Sequence, residues 1–133
     1  MRILITGATS GIGFALASNL LKRNHYVILT SHKEDELKTL NQKLQELPYS
    51  NYTCTKLDIT DKKDIEKILK IDFDCLVNQA GIGIGGSILD LPIKELKKNF
   101  EVNFFSSFIY YNNSQKDKKI IKKTAKLLLH LLY

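Results

Sequence analysis

Three glycines near the start of the chain lie where an apolar stretch gives way to a helix-like segment. Residues 6–13 read Thr-Gly-Ala-Thr-Ser-Gly-Ile-Gly and follow the apolar residues 3–5. A tight turn favours residues without a β-carbon, and the following helix presents unpaired N–H groups and a partial positive charge to an anion. The pattern predicts a loop that binds the pyrophosphate of a nucleotide, with Thr9 and Ser10 as hydroxyl donors. The predicted contacts are Gly7, Thr9, Ser10, Gly11, Ile12 and Gly13.

Composition indicates one globular domain. The chain has 133 residues, 44% of them hydrophobic and 26% charged, which is ordinary for a globular protein. No apolar run approaches the roughly 20 residues of a membrane span and no secretory signal is visible, so we expect a cytoplasmic protein. Cys54 and Cys75 lack metal-ligand spacing and fall in predicted strands, where we expect them to be small buried hydrophobes.

The net charge of +6 is unevenly distributed. Residues 114–133 contain six lysines and a single acidic residue, Asp117, whereas the rest of the chain is almost balanced. A basic surface that could bind nucleic acid is therefore not indicated for the body of the protein.

Apolar runs alternate with amphipathic segments along the chain. The runs 2–6, 25–30, 52–57 and 74–77 predict strands. Helices are expected over about 11–23, after Ser31, after a cap at Thr60 or Asp61, and from about Asp90 with Pro92 in the first turn. Ser31 and Glu34 fit a capping box. Alternation predicts a doubly wound parallel sheet of strand order 3-2-1-4, with ligands at the carboxyl ends of the strands. The predicted inner faces are Ile12, Ala15, Leu16 and Leu20; Leu37, Leu40, Leu44 and Leu47; and Ile65, Ile68 and Leu69. In the last helix, Leu96, Phe100 and Phe104 recur at helical spacing.

The glycine spacing and three later segments resemble the short-chain dehydrogenase/reductase family. Thr-Gly-x3-Gly-Ile-Gly resembles its cofactor loop, and 57–60 (Leu-Asp-Ile-Thr) resembles the segment whose Asp58 and Ile59 would contact adenine. Residues 78–81 (Asn-Gln-Ala-Gly) resemble its Asn-Asn-Ala-Gly signature, which implies cofactor contacts from Asn78, Ala80 and Gly81. Val102 and Asn103 resemble its helical Val-Asn pair, whose Asn helps to hold a proton-relay water. The resemblance implies a Rossmann-type fold and hydride transfer between NAD(P) and an alcohol or carbonyl.

The resemblance ends near residue 108. Downstream of Asn103 the family's active-site Ser and Tyr-x3-Lys pair find no counterpart, because Tyr110 and Tyr111 are followed four residues later by Ser114 and Gln115. Asn103 is thus the remaining catalytic candidate. The sequence predicts a cofactor-binding but catalytically incomplete chain, since a carbonyl hydride acceptor needs an acid to protonate the alkoxide.

Residues 109–133 differ in composition from the Rossmann portion, 1–108. The abrupt change suggests the hypothesis of a frameshifted or prematurely ended family member. The lysine-rich tail also fits a basic amphipathic helix, which could cover the sheet or bind an acidic membrane surface or a partner. The apolar face of that helix would contain Ile121, Ala125, Leu128 and Leu132.

The end of the second strand favours NADP over NAD. Ser31, His32 and Lys33 suit a 2′-phosphate, and no acid follows the strand before Glu34. One alternative is a non-catalytic nucleotide-binding or interaction module, whose sheet edge could pair with a partner. A methyltransferase, whose first strand is also followed by glycines, is a second. The sequence identifies neither a substrate nor an oligomeric state.

Overall fold

The computed structural model describes residues 1–87 and 89–106, together with the backbone of Leu128–Leu129. Strands and helices alternate as predicted, and each observed boundary falls within a few residues of the predicted one. A π-helical segment, Glu101–Phe105, continues the last helix and is called the π segment. The elements are β1 (Arg2–Thr6), α1 (Gly11–Lys22), β2 (Tyr26–Ser31), α2 (Glu34–Gln45), β3 (Tyr52–Lys56), α3 (Lys62–Ile68), β4 (Cys75–Asn78), α4 (Ile93–Phe100) and β5 (Leu128–Leu129).

The strands form one parallel sheet with the order β3-β2-β1-β4-β5. Its first four strands confirm the predicted order 3-2-1-4. Ile3 of the central strand β1 lies beside Val27 of β2 and Cys75 of β4. Because the strands are parallel, their carboxyl ends share one edge of the sheet, and the loops that follow them meet there.

The short strand β5 was not predicted. Leu128–Leu129 pairs in parallel with Val77 and Asn78 of β4. The prediction of a helix was therefore wrong at Leu128, since the backbone N–H and C=O groups on the outer edge of β4 offer hydrogen bonds to an apolar segment. The expected exposed edge of β4 is paired over these two residues. Ile121, Ala125 and Leu132, like Tyr110 and Tyr111, lie outside the described residues.

Two apolar layers cover the opposite faces of the sheet. Successive strand residues point to opposite faces, so Ile3 and Ile5 pack with α1 and α2, whereas Leu4 packs with α3. This arrangement is the doubly wound one predicted from the sequence. Cys54 and Cys75 lie in β3 and β4 and are only partly buried, against the first layer.

The buried face of α1 differs from the predicted one. Gly13, Ala17 and Leu21 are buried. Two of these are small, which lets α1 approach the glycine loop and the sheet closely, whereas apolar periodicity selects larger side chains. The predicted residues Ile12 and Ala15 are exposed, and Leu16 and Leu20 are half-buried.

The capping box predicted at Ser31 was wrong. Ser31 is the last residue of β2, and Lys33 is the N-cap of α2. The Ser31 hydroxyl donates to Glu36 instead of capping, because its backbone stays in the sheet. The buried face of α2 is confirmed at Leu37, Leu40 and Leu44, but Leu47 lies beyond the helix end and is exposed.

The last helix lies at the surface of the described fold. Pro92 is its N-cap rather than a first-turn residue, with the extended backbone that precedes a helix. No α4 residue is buried. Phe100 and Phe104, which follow Leu96 at helical spacing, are 53% and 58% exposed. Helical periodicity identified the apolar face but not whether anything covers it.

Candidate dinucleotide-binding site

A cavity of about 740 Å³ opens at the carboxyl ends of β1 to β4. Its volume lies in the range of roughly 300–1,000 Å³ that is usual for small-molecule sites. It is lined by the glycine loop after β1, the β2–α2 junction, the segment after β3 and the turn after β4. The predicted site residues that line it are Gly7, Thr9, Ser10, Gly11, Ile12, Ser31, His32, Asp58, Ile59, Ala80 and Gly81.

The glycine loop has the geometry that a close backbone approach requires. Gly7 has a φ of +66°, and a β-carbon there would lie 2.8 Å from Cα of Ala80. A β-carbon at Gly13 would overlap the carbonyl oxygen of Gly7, so Gly13 packs beneath the loop rather than lining the cavity. Gly11 has a φ of +54°, and a β-carbon there would meet nothing within 4 Å.

The helix after this loop begins with uncapped N–H groups. Ser10 is the N-cap of α1, and its side chain makes no capping hydrogen bond. The first N–H groups of a helix have no partner within the helix, and the helix dipole adds a partial positive charge. The loop and this helix end therefore fit the pyrophosphate of a dinucleotide.

Thr6 joins the glycine loop to the turn after β4. Its hydroxyl donates to Oδ1 of Asn78 at 3.0 Å and accepts the N–H groups of Gln79 and Ala80, each at 3.0 Å. Both Thr6 and Asn78 are buried. Asn78, predicted as a cofactor contact, lies behind the cavity wall and holds the turn in place.

Glu36 joins the glycine loop to the start of α2. Its Oε2 accepts the hydroxyls of Ser31 at 2.8 Å and Thr9 at 3.0 Å, and its Oε1 lies 3.0 Å from Nζ of Lys33. The hydrogen bonds from Ser31 and Lys33, with a smaller one from Thr9, lower the pKa of Glu36 to about 2 despite partial burial. The Thr9 hydroxyl, predicted as a phosphate donor, is directed to this carboxylate. Lys33 pairs with Glu36 and does not line the cavity.

Asp58 begins a turn after β3. Its Oδ1 accepts both the N–H of Thr60 at 2.8 Å and the Thr60 hydroxyl at 2.6 Å. Burial opposes the charged carboxylate, but the Thr60 hydrogen bonds and the charges of His32 and Lys56 hold the pKa of Asp58 below its usual value. The N-cap of α3 is Asp61, so Asp58 does not serve as the cap of that helix.

Asn103 connects the π segment to the loop after β4 through two hydrogen bonds. Its Oδ1 accepts the N–H of Ile82 and its Nδ2 donates to the C=O of Ile82, both at 2.8 Å. Asn99 donates to the same carbonyl at 2.7 Å. A β-carbon at Gly81 would lie 3.2 Å from Oδ1 of Asn103, so a glycine permits this close approach. Asn103 thus positions the cavity wall, although it does not line the cavity.

Several lining residues were not predicted. Glu36 meets Thr9 only after the chain folds, and no local spacing indicates that contact. Thr6, which supports the cavity without lining it, had only a weak signal, a hydroxyl at the end of an otherwise apolar strand. Lys98 and Glu101 reach the cavity because α4 lies beside the β4 turn. Four unpredicted lining residues lie within the segments that resemble the family: Leu57, Thr60, Gln79 and Val102. The other four had no such signal: Glu36, Ile82, Lys98 and Glu101.

A Tyr-x3-Lys spacing does occur, in the wrong element. Tyr52 and Lys56 are the first and last residues of β3. Four residues along a strand span about 13 Å, so the two side chains cannot act together as they would on adjacent turns of a helix. Tyr52 also lies at the amino end of its strand, away from the cavity edge.

The sheet order, the glycine loop and the helix end are those of a Rossmann-type fold. The family model for the short chain dehydrogenase matches residues 1–117. The chain therefore belongs to the short-chain dehydrogenase family. The match decides against the methyltransferase alternative, and it extends beyond residue 108, where the resemblance was expected to end.

Two curated relatives and one solved structure illustrate the similarity. A "probable short-chain type dehydrogenase/reductase" of Helicobacter pylori is 37% identical over 109 residues, which are 77% of this chain and 38% of the relative. An NAD-dependent glycerol dehydrogenase of Listeria innocua is 33% identical, over 80% of this chain and 42% of the relative. A crystal structure of an actinorhodin polyketide ketoreductase variant with NADPH superimposes with a TM-score of 0.84 at 26% identity, covering 95% of this chain and 51% of that one.

The chain spans about two fifths of the length of these curated relatives. Within residues 1–87 and 89–106, no three His, Cys, Asp or Glu side chains are grouped so that they could hold a metal ion. No helix in the described part of the chain is long and apolar enough to cross a membrane.

Proposed function

We propose that the cavity binds a nicotinamide dinucleotide, as the cofactor site of an oxidoreductase that acts on an alcohol or a carbonyl. The observation that supports this most strongly is the meeting of the glycine loop, the uncapped start of α1 and the β4 turn around one cavity. Family membership supports the same reaction class.

In this proposal, each wall of the cavity binds a different part of the dinucleotide. The N–H groups at Gly11 and Ile12 bind the pyrophosphate. Asp58, kept ionised by Thr60, accepts a hydrogen bond from the adenine amino group. Ala80 and Gly81 form the wall that Thr6 and Asn103 hold in place. The bound dinucleotide would supply or accept the hydride.

NADP(H) is the favoured cofactor in this proposal. Ser31 and His32 line the cavity at the end of β2, and Lys33 follows them. The basic side chain of His32 suits a 2′-phosphate, whereas the Ser31 hydroxyl and Lys33 are bound to Glu36 and would have to be released to contribute. The related ketoreductase contains NADPH, whereas the name of the Listeria relative specifies NAD.

We also propose that the protein is located in the cytoplasm, as expected from the sequence. Fractionation of the source cells tests this location.

We further propose that the 133-residue chain binds its cofactor without turnover. Downstream of Asn103 the sequence contains no Tyr-x3-Lys pair to protonate an alkoxide. Asn103 has no acidic proton to give, so its predicted part in a proton relay would be that of a positioning residue. The expected result is saturable NADPH binding with no reduction of a panel of ketones and aldehydes. Steady NADPH oxidation by the purified chain would contradict this part of the proposal.

Titration with NADPH and NADH, followed by cofactor fluorescence and thermal melting, tests the binding proposal. A ligand that binds only the folded state raises the melting temperature. Gly11→Val places a side chain in the cavity on a left-handed backbone and should abolish binding. Gly85→Val is the matched control, because a β-carbon at Gly85 meets nothing within 4 Å and Gly85 does not line the cavity. Equal binding by both variants would contradict the proposed site.

A non-catalytic nucleotide-binding and interaction module is the second candidate. The observation that favours it is the apolar surface formed by α4 and the π segment, where three phenylalanines are at least half exposed. Sedimentation of the pure chain with and without Phe100→Glu tests this candidate. A defined assembly that the substitution dissociates, together with cofactor binding and no turnover, would favour it. A monomer in both cases would exclude self-association through this surface.

A further inference from the structure

The groups best suited to bind a 2′-phosphate are already bound to a carboxylate of the chain. Ser31 and Thr9 donate their hydroxyls to Oε2 of Glu36, and Nζ of Lys33 lies 3.0 Å from its Oε1. Glu36 itself lines the cavity together with Thr9, Ser31 and His32. A phosphate that approached these donors would have to compete with Glu36 for them.

We propose that Glu36 sets how strongly this site discriminates between NADPH and NADH, by occupying the donors that a 2′-phosphate would use. The carboxylate acts as an internal competitor of the phosphate. Its removal should therefore strengthen NADPH binding selectively. The inference rests on the proposed function, because it requires that the cavity binds a dinucleotide.

The position of Glu36 supports an electrostatic effect rather than a purely steric one. The hydrogen bonds from Ser31 and Lys33 lower the pKa of Glu36 to about 2, so its carboxylate is charged at neutral pH. Its side chain is 37% exposed and that of Lys33 is 55% exposed, so an incoming phosphate can reach the pair. Two anions that share one lysine repel each other, whereas the 2′-hydroxyl of NADH can donate a hydrogen bond to the carboxylate.

The tie between Glu36 and Thr9 adds a second cost to phosphate binding. This hydrogen bond connects the glycine loop to α2 across 27 residues of sequence. A phosphate that draws Ser31 and Lys33 away from Glu36 leaves a partly buried carboxylate with fewer partners. NADH can bind without disturbing this cluster.

The test compares Glu36→Gln with wild type, using NADPH, NADH and the fragment 2′,5′-ADP as probes at low ionic strength. Glutamine keeps an acceptor oxygen for Ser31 and Thr9 and removes the charge. Glu34→Gln is the matched control, since it removes the same charge from the exposed first turn of α2 and does not line the cavity. A thermal melt of each variant without ligand verifies folding.

We expect Glu36→Gln to raise the ratio of NADPH to NADH affinity by about tenfold or more, whereas Glu34→Gln changes it by less than about twofold. The affinity for 2′,5′-ADP should rise in parallel. An unchanged ratio in a folded variant that binds both cofactors overturns the inference but leaves the proposed function intact. If neither the wild type nor the variants bind any probe, the proposed function fails and the inference fails with it.

The role of Lys33 gives an independent check. In the wild type Lys33 is paired with Glu36, so Lys33→Gln should change NADPH affinity little. In the Glu36→Gln background the lysine is released for the phosphate, and the same substitution should lower NADPH affinity about fivefold or more. Additive effects in this double-mutant cycle would overturn the inference even if the Glu36 variant alone behaved as expected.

Discussion

The first two helices and the last helix use their apolar side chains differently. α1 and α2 bury part of their apolar side chains against one face of the sheet, where Leu21, Leu40 and Leu44 are almost inaccessible. α4 and the π segment bury no hydrophobic residue, and Phe100, Phe104 and Phe105 are at least half exposed. The glycine loop therefore rests on a packed base, whereas the wall formed by α4 is held mainly by asparagine hydrogen bonds.

The two sides of the cavity are therefore held in place by different interactions. On the α1 and α2 side, dispersion and apolar burial fix the loop, and Glu36 adds a polar tie. On the α4 side, Asn99 and Asn103 both bond to the backbone of Ile82. We expect substitutions on the first side to change the stability of the whole unit, and substitutions of the exposed phenylalanines to change it little.

Gly7→Val should have the largest effect. A side chain there would need a left-handed backbone and would collide with Cα of Ala80. We expect a loss of about 4 kcal/mol or more in the free energy of unfolding, together with loss of dinucleotide binding. Urea unfolding measures it, with Gly83→Val as the control because a β-carbon at Gly83 meets nothing within 4 Å. Equal stability of the two variants would show that the packed base of the loop is not as described.

Leu44→Ala and Phe104→Ala test the comparison directly. Leu44 of α2 is fully buried in the first apolar layer, so its truncation should cost about 2–5 kcal/mol. Phe104 is 58% exposed, and we expect a change within about 0.5 kcal/mol. Matched denaturant titrations of the two variants provide the measurement. A cost at Phe104 approaching that at Leu44 would mean that the α4 side is packed in solution.

Thr6→Val should have an intermediate effect. The substitution keeps the shape of the side chain but removes the oxygen that accepts the N–H groups of Gln79 and Ala80. We expect a loss of about 1–3 kcal/mol in stability and weaker NADPH binding, since the β4 turn loses its tie to β1. Thr39→Val is the control, because the Thr39 hydroxyl is exposed on α2. Unchanged binding by Thr6→Val would exclude a role for this tie in shaping the cavity.

The smallest expected effect is the pH dependence of the contribution that Glu36 makes to the free energy of unfolding. Its pKa is lowered from 4.5 to about 2 in the folded chain, so its contribution to stability is present above pH 4.5 and is lost as the pH falls towards 2. Because Glu36 is partly exposed, we expect at most about 1 kcal/mol. The stability gap between wild type and Glu36→Gln should shrink from pH 6 to pH 2.5. A gap that is constant with pH would contradict the assignment of this charge.

The sequence predicted the sheet order, because alternating apolar runs and amphipathic segments leave few right-handed arrangements. The glycine loop was predictable for a local reason, because the backbone geometry at Gly7 and Gly13 leaves no room for a side chain. The buried face of α1 was not, because close approach to the loop selects small residues such as Ala17 over larger apolar ones. The role of Glu36 could not be predicted from the sequence, because its partner Thr9 is 27 residues away along the chain. The strand at Leu128 was missed because a leucine-rich run with flanking lysines suits a helix equally well.

The most direct test of the proposed cofactor site is the response of backbone amide signals to NADPH, measured by NMR on the uniformly labelled chain. Because the N–H groups at the start of α1 should bind the pyrophosphate, the largest shifts should fall on residues 7–13, with further shifts at 31–33, 58–60 and 79–82. Signals of residues 67–72, at the opposite end of the sheet, should not move. Saturable shifts in this pattern would support the glycine loop as the cofactor site. Shifts elsewhere with none at Gly11 and Ile12, or no shifts at millimolar NADPH, would contradict it.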